Sequence, residues 1–142
     1  MKLVTILSLF VAANTVNAGC YTGGELFKDK AAAYDWAKKL CYGWNTTEFG
    51  TEYTVGPKLS GTFGAQSTVS GSKSECIDSN GQKLEFFVDH LQDGERILDK
   101  AACYDGIQKE ISCEHGGKSD YENWAYKYVL FEFRTLWKPS LH

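Results

Sequence analysis

The sequence predicts an α+β fold in which two antiparallel helices cover one face of an antiparallel β-sheet. Two segments carry apolar residues at helical spacing, and two carry the alternation of a strand. Their order along the chain is helix, strands, helix, strand, which is typical of a two-layer sandwich. Five cysteines add a third observation, because small secreted domains of this kind are often cross-linked.

The first 18 residues have the layout of a secretory signal peptide. Lys2 precedes an apolar run from Leu3 to Ala13, and small residues surround a cleavage point after Ala18. The run is shorter than the ~20 residues that span a bilayer, so we expect a leader and not a membrane anchor. Residues 19–142 are then one secreted, disulfide-stabilised domain.

The charge of the mature chain disfavours nucleic acid and membranes as partners. The full chain has 15 Lys and Arg against 18 Asp and Glu, and removing Lys2 leaves 14 bases against 18 acids, a formal charge of −4. The two signs are interleaved and form no basic stripe, which binding to phosphates or anionic lipid requires. We therefore expect no nucleic acid, no membrane and no cofactor.

Each predicted helix has a recognisable start and end. Residues 29–41 begin with Asp29 as N-cap and carry one apolar stripe, and residues 99–113 begin with Asp99 and end before two glycines. Asn80-Gly81 is a strong hairpin signal between two alternating segments. The predicted strands are 68–76, 82–91 and 122–137, with one or two short strands between 50 and 67.

The cysteine positions favour two disulfides and one free thiol. No CxxC pair is present, so a zinc site has little support. Cys103 and Cys113 would lie ~15 Å apart on one helix, too far to bond. If the helices are antiparallel, Cys41 lies beside Cys103, and Cys113 is left to meet Cys20. We expect these two pairs, with Cys76 unpaired.

The histidines carry the alternative of an enzyme. His90 lies on a predicted strand, and with Arg96, Glu85 or Glu110 it is the candidate base of a small ribonuclease-like hydrolase. His115 is a second candidate base or metal ligand, but its place before two glycines is also that of a helix stop. No compact motif joins these residues, so we expect a non-catalytic protein without a metal.

Aromatic residues provide the candidate binding surface. The chain has 4 Trp, 8 Tyr and 8 Phe, more than a small two-layer core needs, and Trp and Tyr suit sugar rings and protein interfaces. Trp124, Tyr126 and Tyr128 form a row on one strand face. This row is either a binding face or the core beneath the helices. In the second case the outer face carries Lys127, Val129, Phe131 and Phe133 and is unusually apolar.

A second aromatic set follows the first helix. Tyr42, Trp44 and Phe49 lie in a predicted loop, and loop aromatics are good candidates for ligand binding. Asn45 begins the sequence Asn-Thr-Thr, a glycosylation acceptor. A glycan at this position would cover the loop and point it toward solvent.

The segments GCYTGGELF, AAAYDWAKKLC, KLEFFV, ACYDGIQKEISCEHGG and YENWAYK resemble the fungal small secreted cysteine-rich proteins. That group includes a mushroom glycan-binding lectin and secreted effectors of virulence, and it is similar to the killer-toxin fold. The resemblance extends from Cys20 to about Lys127. It implies two antiparallel helices on an antiparallel sheet, the same two disulfides, and a glycan or a host protein as the partner.

The C-terminal segment departs from that family. In the family pattern the cysteine matching Cys76 pairs with a last cysteine, but this chain ends LFEFRTLWKPSLH. The resemblance therefore leaves Cys76 free, or linked between two copies in a homodimer. A channel-blocking activity like that of the killer toxins is disfavoured. The surface with which those toxins act on ion channels looks basic, whereas this chain is acidic.

Overall fold

The computed structural model describes residues 17–132, in which two helices pack on one face of a five-stranded antiparallel sheet. The strand order in that sheet is β1-β8-β9-β6-β5, and β2–β3 and β4–β7 form two further two-stranded antiparallel sheets. In chain order the elements are β1 (Asn17–Cys20), α1 (Lys30–Tyr42), β2 (Trp44–Glu48), β3 (Thr51–Val55), β4 (Gly61–Phe63), β5 (Ser72–Ser79), β6 (Gln82–His90), β7 (Arg96–Leu98), α2 (Lys100–Ile111), β8 (Gly117–Asp120) and β9 (Trp124–Glu132).

Helix α1 forms as its sequence predicts. The Asp29 carboxylate accepts a hydrogen bond from the backbone N–H of Ala32 at 3.1 Å, which satisfies one of the free donors of the first turn. Gly43, with φ 84°, ends the helix in a conformation that favours glycine. The apolar stripe faces the core through Ala33, Ala37, Leu40 and Cys41.

Helix α2 begins as predicted and ends two residues early. Asp99 caps the N–H of Ala102 at 2.8 Å. The helix ends at Ile111, because the backbone N–H of Cys113 turns back to the carbonyl of Glu110 and leaves the α-helical pattern. Cys113 thereby leaves the helix and becomes free to reach the sheet.

The two helices are antiparallel. The end of α1 is bonded to the start of α2 through Cys41–Cys103, whose Cα atoms are 5.7 Å apart. At the other end, Lys30 at the start of α1 donates to the carbonyl of Ser112, just after α2, at 3.1 Å. Contacts at both ends fix the relative direction of the pair. The predicted α+β class, with both helices on one face, is confirmed.

The strands agree with the prediction only in part. Strand β5 begins at Ser72 and not at 68, since Val69–Gly71 forms a 3-10 turn. The Asn80-Gly81 turn joins β5 to β6 as predicted, with φ of 50° and 77°. Strands β3 and β4 lie in the segment 50–67, where one or two short strands were expected, whereas β1, β2, β7 and β8 were not predicted. Of the predicted strand 122–137, residues 133–137 lie outside the described part of the chain.

Candidate functional site

Both predicted disulfides are present. Cys20–Cys113 and Cys41–Cys103 have Cα separations of 5.3 and 5.7 Å. The first joins strand β1 to the end of α2, and the second joins the two helices. Cys76 is a free, exposed thiol on strand β5.

His115 anchors the segment that follows β1. Its Nδ1 lies 3.0 Å from the carbonyl oxygen of Gly24 and 3.3 Å from that of Glu25, so this nitrogen donates. Backbone hydrogen bonds hold the same segment on both sides of this contact. The N–H of Tyr21 donates to the carbonyl of Gly116, and the N–H of Phe27 donates to the carbonyl of Glu114. Within the described residues, no group of three or more His, Cys, Asp or Glu side chains is arranged to hold a metal.

His90 is a core residue. It is 2 % exposed, its Nδ1 lies 2.8 Å from the carbonyl oxygen of Gly64, and its ring lies against Trp124 with centroids 5.0 Å apart. Glu85 belongs to the opposite face of β6, because alternate residues of a strand point in opposite directions. Of the partners considered for His90 in the alternative hydrolase site, Glu85 is therefore on the wrong face of the strand.

The aromatic row on β9 belongs to the core. Tyr126 and Tyr128 are 4 % and 0 % exposed, and Trp124 packs edge-on against Phe63 with centroids 4.9 Å apart. The Tyr128 ring also contacts Phe86, with centroids 5.0 Å apart. Of the two interpretations of this row, the binding face is therefore wrong, since the helices cover it.

The helix-free face of the sheet is less apolar than expected. Val129 and Phe131 are on this face, but Lys127 places its Nζ 4.4 Å above the ring of Phe87, which is paired with it across β6 and β9. Phe133 lies outside the described residues. Charged side chains from the neighbouring strands share the face and interrupt its apolar area: Lys83, Glu85, Lys118 and Asp120.

Cys76 stands opposite Glu85 in the β5–β6 pairing. Partial burial and the nearby Glu85 carboxylate raise the pKa of the Cys76 thiol. A raised pKa lowers the fraction of thiolate, the form that attacks electrophiles and disulfides. This environment is unlike that of a nucleophilic cysteine, and a dimer linked through Cys76 stays a prediction.

Residues 44–55 form a hairpin and not a loop. Strands β2 and β3 pair only with each other in the described structure, from Trp44 opposite Val55 to Glu48 opposite Thr51. The turn is Phe49-Gly50, with φ of 51° and 77°, and the Phe49 side chain is 99 % exposed. An isolated two-stranded hairpin is marginally stable, so its packing against α1 fixes its position.

One face of this hairpin is aromatic. Trp44 packs edge-on against Trp36 of α1, with ring centroids 5.8 Å apart. Tyr53 lies diagonal to Trp44 on the same face and is 42 % exposed. We call these three side chains, Trp36, Trp44 and Tyr53, the aromatic surface.

Charged groups border the aromatic surface. Lys39 Nζ lies 4.8 Å from the Trp36 ring centroid and 2.8 Å from the Asp35 carboxylate. The Tyr53 hydroxyl donates to Glu48, which also raises the pKa of Tyr53. Rings with hydrogen-bonding groups at their edges are suited to ligands that have both apolar and hydroxylated faces.

Asn45 lies on the opposite face of the hairpin. Its side-chain oxygen accepts from the Thr54 hydroxyl at 2.8 Å, which leaves the amide nitrogen, the atom that carries an N-linked glycan, directed away from that bond. Neighbouring residues of a strand point to opposite faces, so a glycan here would be attached on the face opposite to Trp44. The expectation that a glycan at Asn45 covers this segment stays a prediction.

Of the predicted aromatic candidates, only Trp44 is part of the aromatic surface. Tyr42 is 40 % exposed at the last residue of α1, and in the described structure it makes no ring contact with Trp44. Trp36 and Tyr53 were not predicted as binding residues. A period-two pattern of Trp44, Thr46 and Glu48 around the Phe49-Gly50 turn is the signal that identifies the hairpin.

The disulfides indicate an extracellular or otherwise oxidising compartment. In the part of the chain that the structure describes, no helix has the length and apolar character needed to cross a membrane. Comparisons with protein-family models, with curated proteins and with solved structures find no match to this chain.

Proposed function

We propose that this chain is a secreted, non-catalytic protein that binds a glycan through the aromatic surface. The observation that carries the proposal is the set of three rings, Trp36, Trp44 and Tyr53, held half-exposed between a helix and a hairpin. Flat rings stack on the apolar faces of sugars, and bordering carboxylates accept hydrogen bonds from their hydroxyls. Asp35 and Glu48 are placed at these borders.

Three further arguments support a secreted binding protein. Residues 1–18 have the layout of a leader cleaved after Ala18, and the two disulfides fit an oxidising destination. The resemblance to fungal secreted cysteine-rich proteins, with its lectin and effector members, points to the same class of function. His90, one of the two histidines considered for a hydrolase, is 2 % exposed, and the Nδ1 atoms of both His90 and His115 are bound to backbone carbonyls.

A glycan array with the secreted protein tests the proposal. Trp44→Ala and Tyr53→Ala should each lower the affinity for the bound glycan about tenfold or more, as expected for central aromatic contacts. Ile97→Ala, at a side chain 71 % exposed on β7, is the matched control and should leave binding unchanged. Thermal melting of each variant separates a lost contact from a lost fold.

Two outcomes would contradict this function. Binding of a protein and not of any glycan, with the same sensitivity to Trp44→Ala, would assign the surface to a host protein. Cleavage of RNA by the wild-type protein, abolished by His115→Ala, would replace the binding function by a hydrolase.

A further inference from the structure

A second site lies between the end of α2 and strands β1 and β8. It is a cavity of about 330 Å³ beside the Cys20–Cys113 disulfide. Its polar lining comes from Glu110, Ser119 and Lys109, and one wall is the ring of Tyr121. We call it the Glu110 cavity. None of these residues belongs to the aromatic surface.

Glu110 is a buried acid whose carboxylate is only partly satisfied, because it is hydrogen-bonded to Ser119 but keeps one oxygen without a partner. Its side chain is 2 % exposed, and its Oε1 has no hydrogen-bond partner. In the described residues no Lys or Arg lies within 4.0 Å of the carboxylate, although Lys109 is adjacent in the helix. The Lys109 ammonium is instead placed 5.1 Å from the Tyr121 ring centroid. A buried carboxylate of this kind carries a large desolvation cost unless a cation or several donors reach it.

Strand β8 has a glycine, Gly117, next to this carboxylate. A Cβ at Gly117 would lie 2.8 Å from Glu110 Oε2 and 2.8 Å from the carbonyl oxygen of Gly19. A side chain at position 117 would therefore displace the acid. Glu110 and Gly19 thus lie on the same side of position 117, where the absence of a side chain leaves room for the carboxylate.

We propose that the Glu110 cavity binds an ammonium group. An ammonium has three donors and a positive charge, which match the unpartnered Oε1 and the negative charge of the Glu110 carboxylate. Burial of Glu110 raises the pKa of its carboxyl, and a bound cation would lower it again.

Two sources can provide this group. One is the chain itself, because cleavage after Ala18 turns the backbone nitrogen of Gly19, a lining residue, into an α-ammonium. The other is a small primary amine from solution, for which a cavity of about 330 Å³ has room. The first source depends on the proposed leader cleavage, whereas the second does not.

The experiment compares two forms of the protein, one beginning at Gly19 and one beginning at Asn17, each as wild type and as Glu110→Gln. The exposed neighbour Glu114→Gln is the matched control. In the Gly19 form we measure the rate at which acetic anhydride modifies the α-amine. An ion pair with Glu110 lowers the unprotonated fraction, so wild type and Glu114→Gln should react about tenfold more slowly than Glu110→Gln.

In the Asn17 form we titrate methylammonium chloride and follow the amide resonances of β8 and α2 by NMR. Tetramethylammonium chloride, which has the charge but no N–H donors, is the control ligand. The proposal expects saturable shifts with methylammonium only, which Glu110→Gln abolishes and Glu114→Gln retains.

A slowed α-amine identifies the chain itself as the source, and methylammonium binding identifies a free amine as a competent ligand. Either result supports an ammonium site. The proposal is overturned if Glu110→Gln, folded as judged by its melting temperature, changes neither the acetylation rate nor the methylammonium titration. Glycan binding is read separately with Trp44→Ala, so failure of one proposal leaves the other intact.

Discussion

At the scale of single residues, the two buried tyrosines of β9 differ in the hydrogen bonding of their hydroxyl groups. The Tyr126 hydroxyl donates to the carbonyl of Ala102 at 3.3 Å, whereas the Tyr128 hydroxyl is buried without a hydrogen-bond partner. Burial raises the pKa of both groups, because both would have to ionise inside the core. The same substitution at the two positions should therefore have opposite effects.

We expect Tyr128→Phe to raise the free energy of unfolding by about 0.5–1 kcal/mol, because it removes a desolvated hydroxyl and keeps the ring contacts. Tyr126→Phe should lower it by about 0.5–1.5 kcal/mol, since it leaves the Ala102 carbonyl without this donor. Urea unfolding of both variants at neutral pH measures the difference. A loss of stability in Tyr128→Phe would show that its hydroxyl has a partner.

At the scale of elements, helix α2 is held close to β9 by a glycine. Gly106 lies in the middle of α2, and a Cβ there would come within 2.2–2.4 Å of three ring atoms of Tyr126. Close packing at this position was predicted from the sequence, because a mid-helix glycine costs ~1 kcal/mol relative to alanine. The structure identifies Tyr126 as the neighbour that requires it.

Gly106→Ala should therefore destabilise the protein despite its better helix propensity. Moving the helix or the ring away costs about 1–3 kcal/mol, more than the ~1 kcal/mol gained. Asp105→Ala, at the exposed neighbouring position, is the control and should change stability little. Thermal unfolding of both variants provides the comparison, and an unchanged or higher melting temperature for Gly106→Ala would contradict the close contact.

The hairpin β2–β3 shows where the sequence pattern was insufficient. Its strands are short and polar, and most side chains on both faces are exposed. Without a buried face, the period-two pattern that identified β6 is weak. The contact between Trp44 and Trp36 depends on how α1 and the hairpin pack against each other. A local sequence pattern cannot predict that packing.

At the scale of the whole molecule, the two disulfides hold the helices to each other and to the sheet. Cys41 and Cys103 are both 0 % exposed, so their bond is part of the core. Cys20–Cys113 attaches the edge strand β1 and closes one side of the Glu110 cavity. The similarity of this arrangement to the killer-toxin fold stays a prediction.

Removing the inner disulfide should have a large effect. The double substitution Cys41→Ala, Cys103→Ala should lower the free energy of unfolding by about 2–5 kcal/mol, through loss of a cross-link between distant segments and of buried contacts. Cys76→Ser changes an exposed thiol and should stay within about 0.5 kcal/mol of wild type. Guanidinium unfolding under non-reducing conditions measures both. A comparable loss in Cys76→Ser would indicate a structural partner for that thiol.

The sequence by itself determined the features that depend on local chemistry or on simple spacing. These are the N-caps Asp29 and Asp99, the Asn80-Gly81 turn, the two helices and, through helix geometry, both disulfides. Only the tertiary structure decided which face of β9 is covered, because Trp and Tyr suit a core and a surface equally well. It also decided that Trp36, Trp44 and Tyr53 form one surface and that Glu110 lies beside Gly19, since these residues meet only when distant elements pack together.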